Sequence, residues 1–176
     1  MKKILIVVDM QKDFVDGALG SQEAVAIVDN VTKKIEGFDG DIIVTYDTHE
    51  ENYMHTQEGK KLPVPHCIKG TEGWALDKKV QQALTKKEYH TIEKPTFGST
   101  DLPLYIKGKY NGEKIVIELI GLCTDICVVS NALLLKASRA GRNFTATLTK
   151  MTMTTATTRL RAFLLLSKVS LSLSRA

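Results

Sequence analysis

The chain has 176 residues with 24 Lys and Arg against 20 Asp and Glu, and is 43% hydrophobic and 25% charged. That size and balance fit one globular domain burying its own core, without disulfides or a structural metal. Three cysteines make no disulfide framework, and no stretch reaches the roughly 18 unbroken apolar residues of a membrane span.

In chain order, "KILIVVD" (residues 3–9) is a continuous apolar run ending in an acid, the pattern of a strand buried on both faces. It resembles the front of a signal peptide, but Asp9, Lys12 and Asp13 follow with no small-residue cleavage site, which places the protein in the cytoplasm. Ser21 can cap a helix whose apolar residues Ala24, Val25, Ile27, Val28, Val31 and Ile35 recur at helical spacing. "DIIVTYD" from Asp41 is a second buried strand ending in an acid. Thr48 to Gly73 is a long polar loop of the kind that is functional or disordered. "WALDKKVQQAL" reads as a helix, "YHTIEK" as a short strand, "KIVIELIG" as a strongly apolar strand and "DICVVSNALLLKA" as a helix behind it. "NFTATLT" predicts a strand, "TTRLRAFLLLSK" a helix, and the strict alternation of "VSLSLSR" a sheet edge. Strands and helices alternate throughout. The expectation is a single α/β domain over residues 1–176: a mostly parallel central sheet of about six strands with helices on both faces, a Rossmann-like three-layer arrangement.

In such sheets ligands bind beyond the carboxyl ends of the strands, here Asp9, Asp47, Lys94 and the turn from Gly121 to Cys127. Cys127 falls in the first turn of its expected helix, where exposed amides and the helix dipole favour a thiolate and could hold an oxyanion. Both Cys123 and Cys127 could equally be small core residues. Asp9, at the end of a buried strand, needs a partner or a role, and Lys94 is the nearest candidate cation. Cys, Asp and Lys together would supply a nucleophile, a proton acceptor and a charge that favours anionic forms; a structural ion pair is the alternative. Asp47 and His49 face the same way in an extended chain, with Glu58 and His66 later in the loop, a ligand set for Zn²⁺, Fe²⁺ or Mn²⁺. His55 and His90 fit surface positions. Every acidic residue lies at or before Asp125, leaving the basic residues from Lys136 to Arg175 without acidic partners. They are scattered among Ser, Thr and Leu, so neither nucleic acid nor a membrane is expected as a partner.

"VVDMQKDF" around Asp9, "DTHEEN" with "PVPH", "IEKPTFGST" around Lys94 and "GLCTDICV" around Cys127 resemble, in order, the motifs of the isochorismatase-like cysteine hydrolases, and among these the nicotinamidases. The resemblance runs from Met1 to about Ala137. It implies a catalytic triad of Asp9, Lys94 and Cys127, and an oxyanion hole from the backbone amides of Cys123 and Cys127. It also implies a cis peptide between Leu122 and Cys123. Asp47, His49 and His66 are the implied ligands of one divalent ion, zinc foremost with iron or manganese as alternatives; Glu58 matches a fourth ligand found in some members. Phe14 and Phe97 match aromatic positions that line the substrate pocket, with Trp74 a further candidate for that wall.

The implied reaction is hydrolysis of nicotinamide to nicotinate and ammonia through a thioester, in NAD salvage, with the metal positioning the pyridine nitrogen. Other carboxamide or carbamoyl hydrolases of the superfamily, or a non-catalytic metal-binding relative, are the alternatives. Family habit implies a homo-oligomer. Beyond Ala137 the periodicity of strand, helix and strand persists while the residue types depart from the family's; the expectation is an error in the recorded sequence there rather than divergence.

Overall fold

A computed structural model of the chain describes residues 1–138 and, as strand backbone, residues 144–148 and 171–172. Six strands form one sheet in the order β3-β2-β1-β4-β5-β6, every neighbouring pair parallel. They are β1 (Lys2–Val8), β2 (Asp41–Asp47), β3 (Tyr89–Lys94), β4 (Ile115–Gly121), β5 (Phe144–Leu148) and β6 (Leu171–Ser172). The helices are α1 (Lys12–Val15), α2 (Gln22–Glu36), α3 (Gln57–Lys61), α4 (Lys78–Leu84), α5 (Asp101–Lys109) and α6 (Val129–Ala137).

The three layers follow from the alternation of side chains along the central strands. Leu5 and Val7 of β1 meet Ile27, Val31 and Ile35 of α2 and Val80 of α4 on one face. Ile4, Ile6 and Val8 meet Leu102 and Ile106 of α5 and Ala132 and Leu135 of α6 on the other. Because β1 is covered on both faces, its run had to be apolar without interruption. Ser21 caps α2 by accepting the Ala24 amide at 3.1 Å, as its position in the sequence implied. α4 starts later than the apolar pattern indicated: the Asp77 carboxylate takes the amides of Lys79 (2.9 Å) and Val80 (3.2 Å), which fixes the first helical residue at Lys78.

Three features were not expected. α5 forms although Pro103 and Gly108 interrupt its pattern; Pro103 lies in the first turn, where its missing N–H costs no helical bond. The polar loop after β2 contains a short 3₁₀ turn at Tyr53–His55 and the single-turn α3. The helix expected from Asp125 opens instead with a π turn, Thr124–Val128, before α6. The expected strand near residue 144 is β5, and the alternating segment near the C-terminus contributes β6 at the sheet's edge. The helix expected between them, and the question of the recorded residues after Ala137, lie outside the described residues. Among those described, no helix is long and apolar enough to cross a membrane.

This strand order reverses its direction of winding between β1 and β4, so the crevice opens at the carboxyl ends of these strands. Register does the rest: Val8 pairs with Gly121 and with Thr45, and Asp47 pairs with Lys94. Asp9, Thr45, Asp47, Lys94 and the turn after β4 are therefore neighbours before any side chain is considered.

Candidate active site

Asp9 leaves β1 with φ of 47°, a conformation that costs a non-glycine residue free energy and concentrates at functional sites. Its buried carboxylate accepts a hydrogen bond from the Thr45 hydroxyl at 2.6 Å and pairs with Lys94 Nζ at 2.6 Å. Lys94 Nζ also reaches Asp47 Oδ1 (3.1 Å) and the Thr96 carbonyl (3.2 Å). Burial lowers the Lys94 pKa, but the charges of Asp9 and Asp47 and the hydrogen bond to Asp9 oppose that and prevail, so the ammonium holds its proton. Burial raises the Asp9 carboxyl above the ordinary carboxylate range; Lys94 opposes this and Asp47 adds to it.

Cys127 is 4% exposed in the π turn, with Asp9 and Lys94 near enough for their charges to act on its thiol. The turn begins where Gly121, with φ of 113°, passes against β1; a Cβ there would lie 2.1 Å from the Val8 carbonyl oxygen, so only glycine fits. The peptide between Leu122 and Cys123 is cis, as the resemblance implied. The thiol's protonation departs from the helix-dipole expectation: burial, and then the charge of Asp9, push the Cys127 pKa up, with Lys94 opposing. In the resting site the thiol keeps its proton, with the Asp9 carboxylate as its charged neighbour. Burial likewise pushes Cys123 up to about 11.

Beside this cluster, one ligand atom each from Asp47, His49 and His66 lies within 4.8 Å of the others. His49 Nε2 is 3.1 Å and His66 Nε2 3.5 Å from Asp47 Oδ2, and both are 3.8 Å from Glu58 Oε1. His66 reaches the site because the chain after it zips onto His49: the His49 amide bonds the Cys67 carbonyl and the Lys69 amide bonds the His49 carbonyl. Asp13 Oδ2 holds the Cys67 amide at 2.8 Å. His66 Nδ1 contacts the Val64 carbonyl at 2.9 Å; an acceptor there fixes the proton on Nδ1 and turns the Nε2 lone pair inward. His49 Nε2 and Glu58 Oε1 are buried with no hydrogen-bond partner among the described residues. Two imidazoles and two carboxylates converging with unsatisfied donor atoms fit a divalent transition metal. α3, capped by Thr56, is what brings Glu58 to them.

The aromatic candidates separate in space. Phe97 is 46% exposed and lines a cleft of about 580 Å³ together with Thr48, His49, Glu58, Lys61 and Leu62. Phe14 is buried with its ring 5.4 Å from that of His66. Trp74 packs on Tyr46 and donates its indole N–H to Thr48 at 2.9 Å. His55 and His90 are exposed and outside the site.

Two buried amides at the site had no chemical signal in the sequence. Gln11 donates to the carbonyls of Asp47 (2.8 Å) and Trp74 (2.9 Å) and accepts the Asp47 amide at 2.7 Å. It thereby replaces, for Asp47, the strand partner lost where Asp9 turns away. Asn131 binds the backbone of Cys127, Phe97 and Ser99. Their positions, two residues after Asp9 and one helical turn after Cys127, were the available clue.

Residues 3–150 match the family model of the isochorismatase domain. A Bacillus subtilis (strain 168) protein described as an uncharacterized isochorismatase family protein PncA is 35% identical over 145 residues, 75% of this chain and 77% of that protein. The nicotinamidase of Saccharomyces cerevisiae is 26% identical, over 74% of this chain and 80% of its own. The crystal structure of a Pyrococcus horikoshii pyrazinamidase in complex with zinc superposes with a TM-score of 0.73 at 24% identity, covering 100% of both chains. Taken with the order of strands and the crevice they form, these matches establish that the chain belongs to the isochorismatase family.

Proposed function

We propose that the protein is an amidohydrolase that converts nicotinamide to nicotinate and ammonia, with Cys127 as nucleophile, Asp9 as general base and acid, and Lys94 as the balancing charge. The observation that supports this most is the placement of Lys94, 2.6 Å from Asp9 and 3.1 Å from Asp47. One buried ammonium thus joins the thiol's proton acceptor to the metal-ligand set. The yeast nicotinamidase and the zinc-bound pyrazinamidase support the substrate class and the ion.

The steps follow from the residues. Cys127 Sγ attacks the carboxamide carbon while its proton passes to Asp9, whose raised pKa suits it to receive one. The developing oxyanion is held by the amides of Cys123 and Cys127. The C–N bond breaks as Asp9 returns the proton to departing ammonia. Water, deprotonated by Asp9, then adds to the thioester; the C–S bond breaks, and the proton returns to the thiolate. Lys94 stays protonated throughout and keeps Asp9 from facing Asp47 unpaired. Asp47, His49 and His66, with Glu58, would hold one divalent ion, zinc foremost and iron or manganese as alternatives. When bound, that ion supplies a Lewis-acid anchor for a ring nitrogen. Phe97 would wall the ring, with Phe14 packed behind His66 and Trp74 held against Thr48. The same reading takes residues 1–176 as one domain, acting in the cytoplasm in NAD salvage as a homo-oligomer.

The test is ammonia release from nicotinamide by zinc-loaded protein, beside Cys127→Ala and His49→Ala. Release by the parent, abolished in Cys127→Ala and reduced in His49→Ala, is expected. A folded, metal-loaded parent that releases none refutes the reading, and other carboxamides are then the substrates to try.

A further inference from the structure

Asn131 is fully buried in the first half of α6, a position where an amide is a poor helix former and costly to bury unless every polar atom is used. All of them are used. Its Nδ2 donates to the Cys127 carbonyl one turn back (2.8 Å) and to the Phe97 carbonyl (3.3 Å); its Oδ1 accepts the Ser99 amide (2.9 Å). One side chain therefore ties the turn carrying the nucleophile to the loop between β3 and α5.

Among the described residues that loop has few other fixings. Thr96 donates its hydroxyl to the Gly98 carbonyl at 2.9 Å and offers its own carbonyl to Lys94. Gly98 lies directly on α6: a Cβ there would sit 2.6 Å from Leu134 Cδ1 and 3.2 Å from Ser130 Cβ. The loop's one outward-facing aromatic is Phe97, which lines the cleft over His49 and Glu58. From this geometry we infer that Asn131 is a positioning residue. It sets the separation between the Phe97 wall and Cys127 Sγ, and so determines how well a flat aromatic carboxamide is presented to the thiol. The inference rests on the proposed reaction for its substrate, but not for its geometry.

Asn131→Ala removes all three bonds. Asn131→Ser keeps a hydroxyl able to bond the Cys127 carbonyl one turn back, but too short to reach the loop, and it carries the test if the alanine variant does not fold. Two quantities are measured at one pH: steady-state nicotinamide hydrolysis per folded protein, and the rate of Cys127 alkylation by iodoacetamide, located by peptide mass spectrometry. For each folded variant the KM is expected to rise about tenfold, the value of one or two hydrogen bonds, with a smaller fall in kcat. Alkylation is expected to quicken as the loop loosens over the thiol. A parent-like value of either quantity, with only the melting temperature lowered, makes Asn131 a structural residue and overturns the inference. Should the parent not hydrolyse nicotinamide, the functional reading fails while the alkylation rates still decide the role of Asn131.

Discussion

Replacing Lys94 with methionine keeps the length of a fully buried side chain and removes only its charge. The ammonium has Asp9 on one side and Asp47 on the other, with the three side chains at most 3% exposed. Without it, Asp9 faces Asp47 with no counter-charge in a region closed to water. Deleting one partner of a buried ion pair costs about 3–5 kcal/mol, because the remaining charge is left uncompensated. For a chain of this size about 1 kcal/mol moves the melting temperature by about 2–4 °C, so Lys94→Met is expected to melt roughly 6–20 °C below the parent. The second variant, Lys94→Met with Asp9→Asn, removes the stranded charge too and should recover most of the loss. Circular dichroism melts and urea titrations of the parent and both variants at neutral pH read these differences. A single variant within about 0.5 kcal/mol of the parent, or a double variant less stable than the single one, refutes the view that Lys94 compensates the buried Asp9.

Burial and then Asp9 hold the Cys127 thiol above its ordinary pKa, so Cys127 should be alkylated slowly at pH 8, with the rate climbing as pH rises. Asp9→Asn removes the raising charge and leaves Lys94 beside the sulfur; it should alkylate faster at pH 8 than the parent while losing turnover, and slower alkylation would contradict the assignment. The same raised pKa means the native state keeps a proton that the unfolded chain gives up above about pH 9, so stability should fall through that range in urea titrations. Gln11→Ala frees both backbone groups of Asp47; zinc affinity, read by competition with a chromophoric chelator, should weaken about 10–100-fold, as for other partners that orient a metal ligand. Gly121→Ala sets a methyl against the Val8 carbonyl at a positive φ and should cost more than about 2 kcal/mol in urea unfolding.

What the sequence disclosed follows the physics of each element. β1 was legible because a strand covered on both faces must be apolar without a break, β2 and β4 because only Thr45 and Glu118 interrupt their apolar runs, and the acids that end β1 and β2 mark where the crevice begins. Asp9, Asp47 and Lys94 were legible because their side chains carry recognisable chemistry at strand ends that the parallel register gathers, while His49, His66 and Cys127 stand in the segments that follow the strands and were legible from their motifs. The π turn was hidden because "DICVVSNALLLKA" has ordinary helical spacing, and nothing local distinguishes a wider first turn. α5 was hidden by Pro103 and Gly108. Gln11 and Asn131 look like any polar residues, since their roles depend on which distant carbonyls arrive beside them. The direction of the thiol's pKa was misjudged because the helix terminus could be read locally, whereas burial and the approach of Asp9 come only with the fold.

The most direct measurement is an acid quench of the zinc-loaded protein during turnover of nicotinamide, followed by intact and peptide mass spectrometry. The mechanism predicts a nicotinoyl thioester on the peptide carrying Cys127, absent from Cys127→Ala, which should also release no ammonia. Ammonia release that persists in Cys127→Ala, with no adduct in the parent, would contradict it.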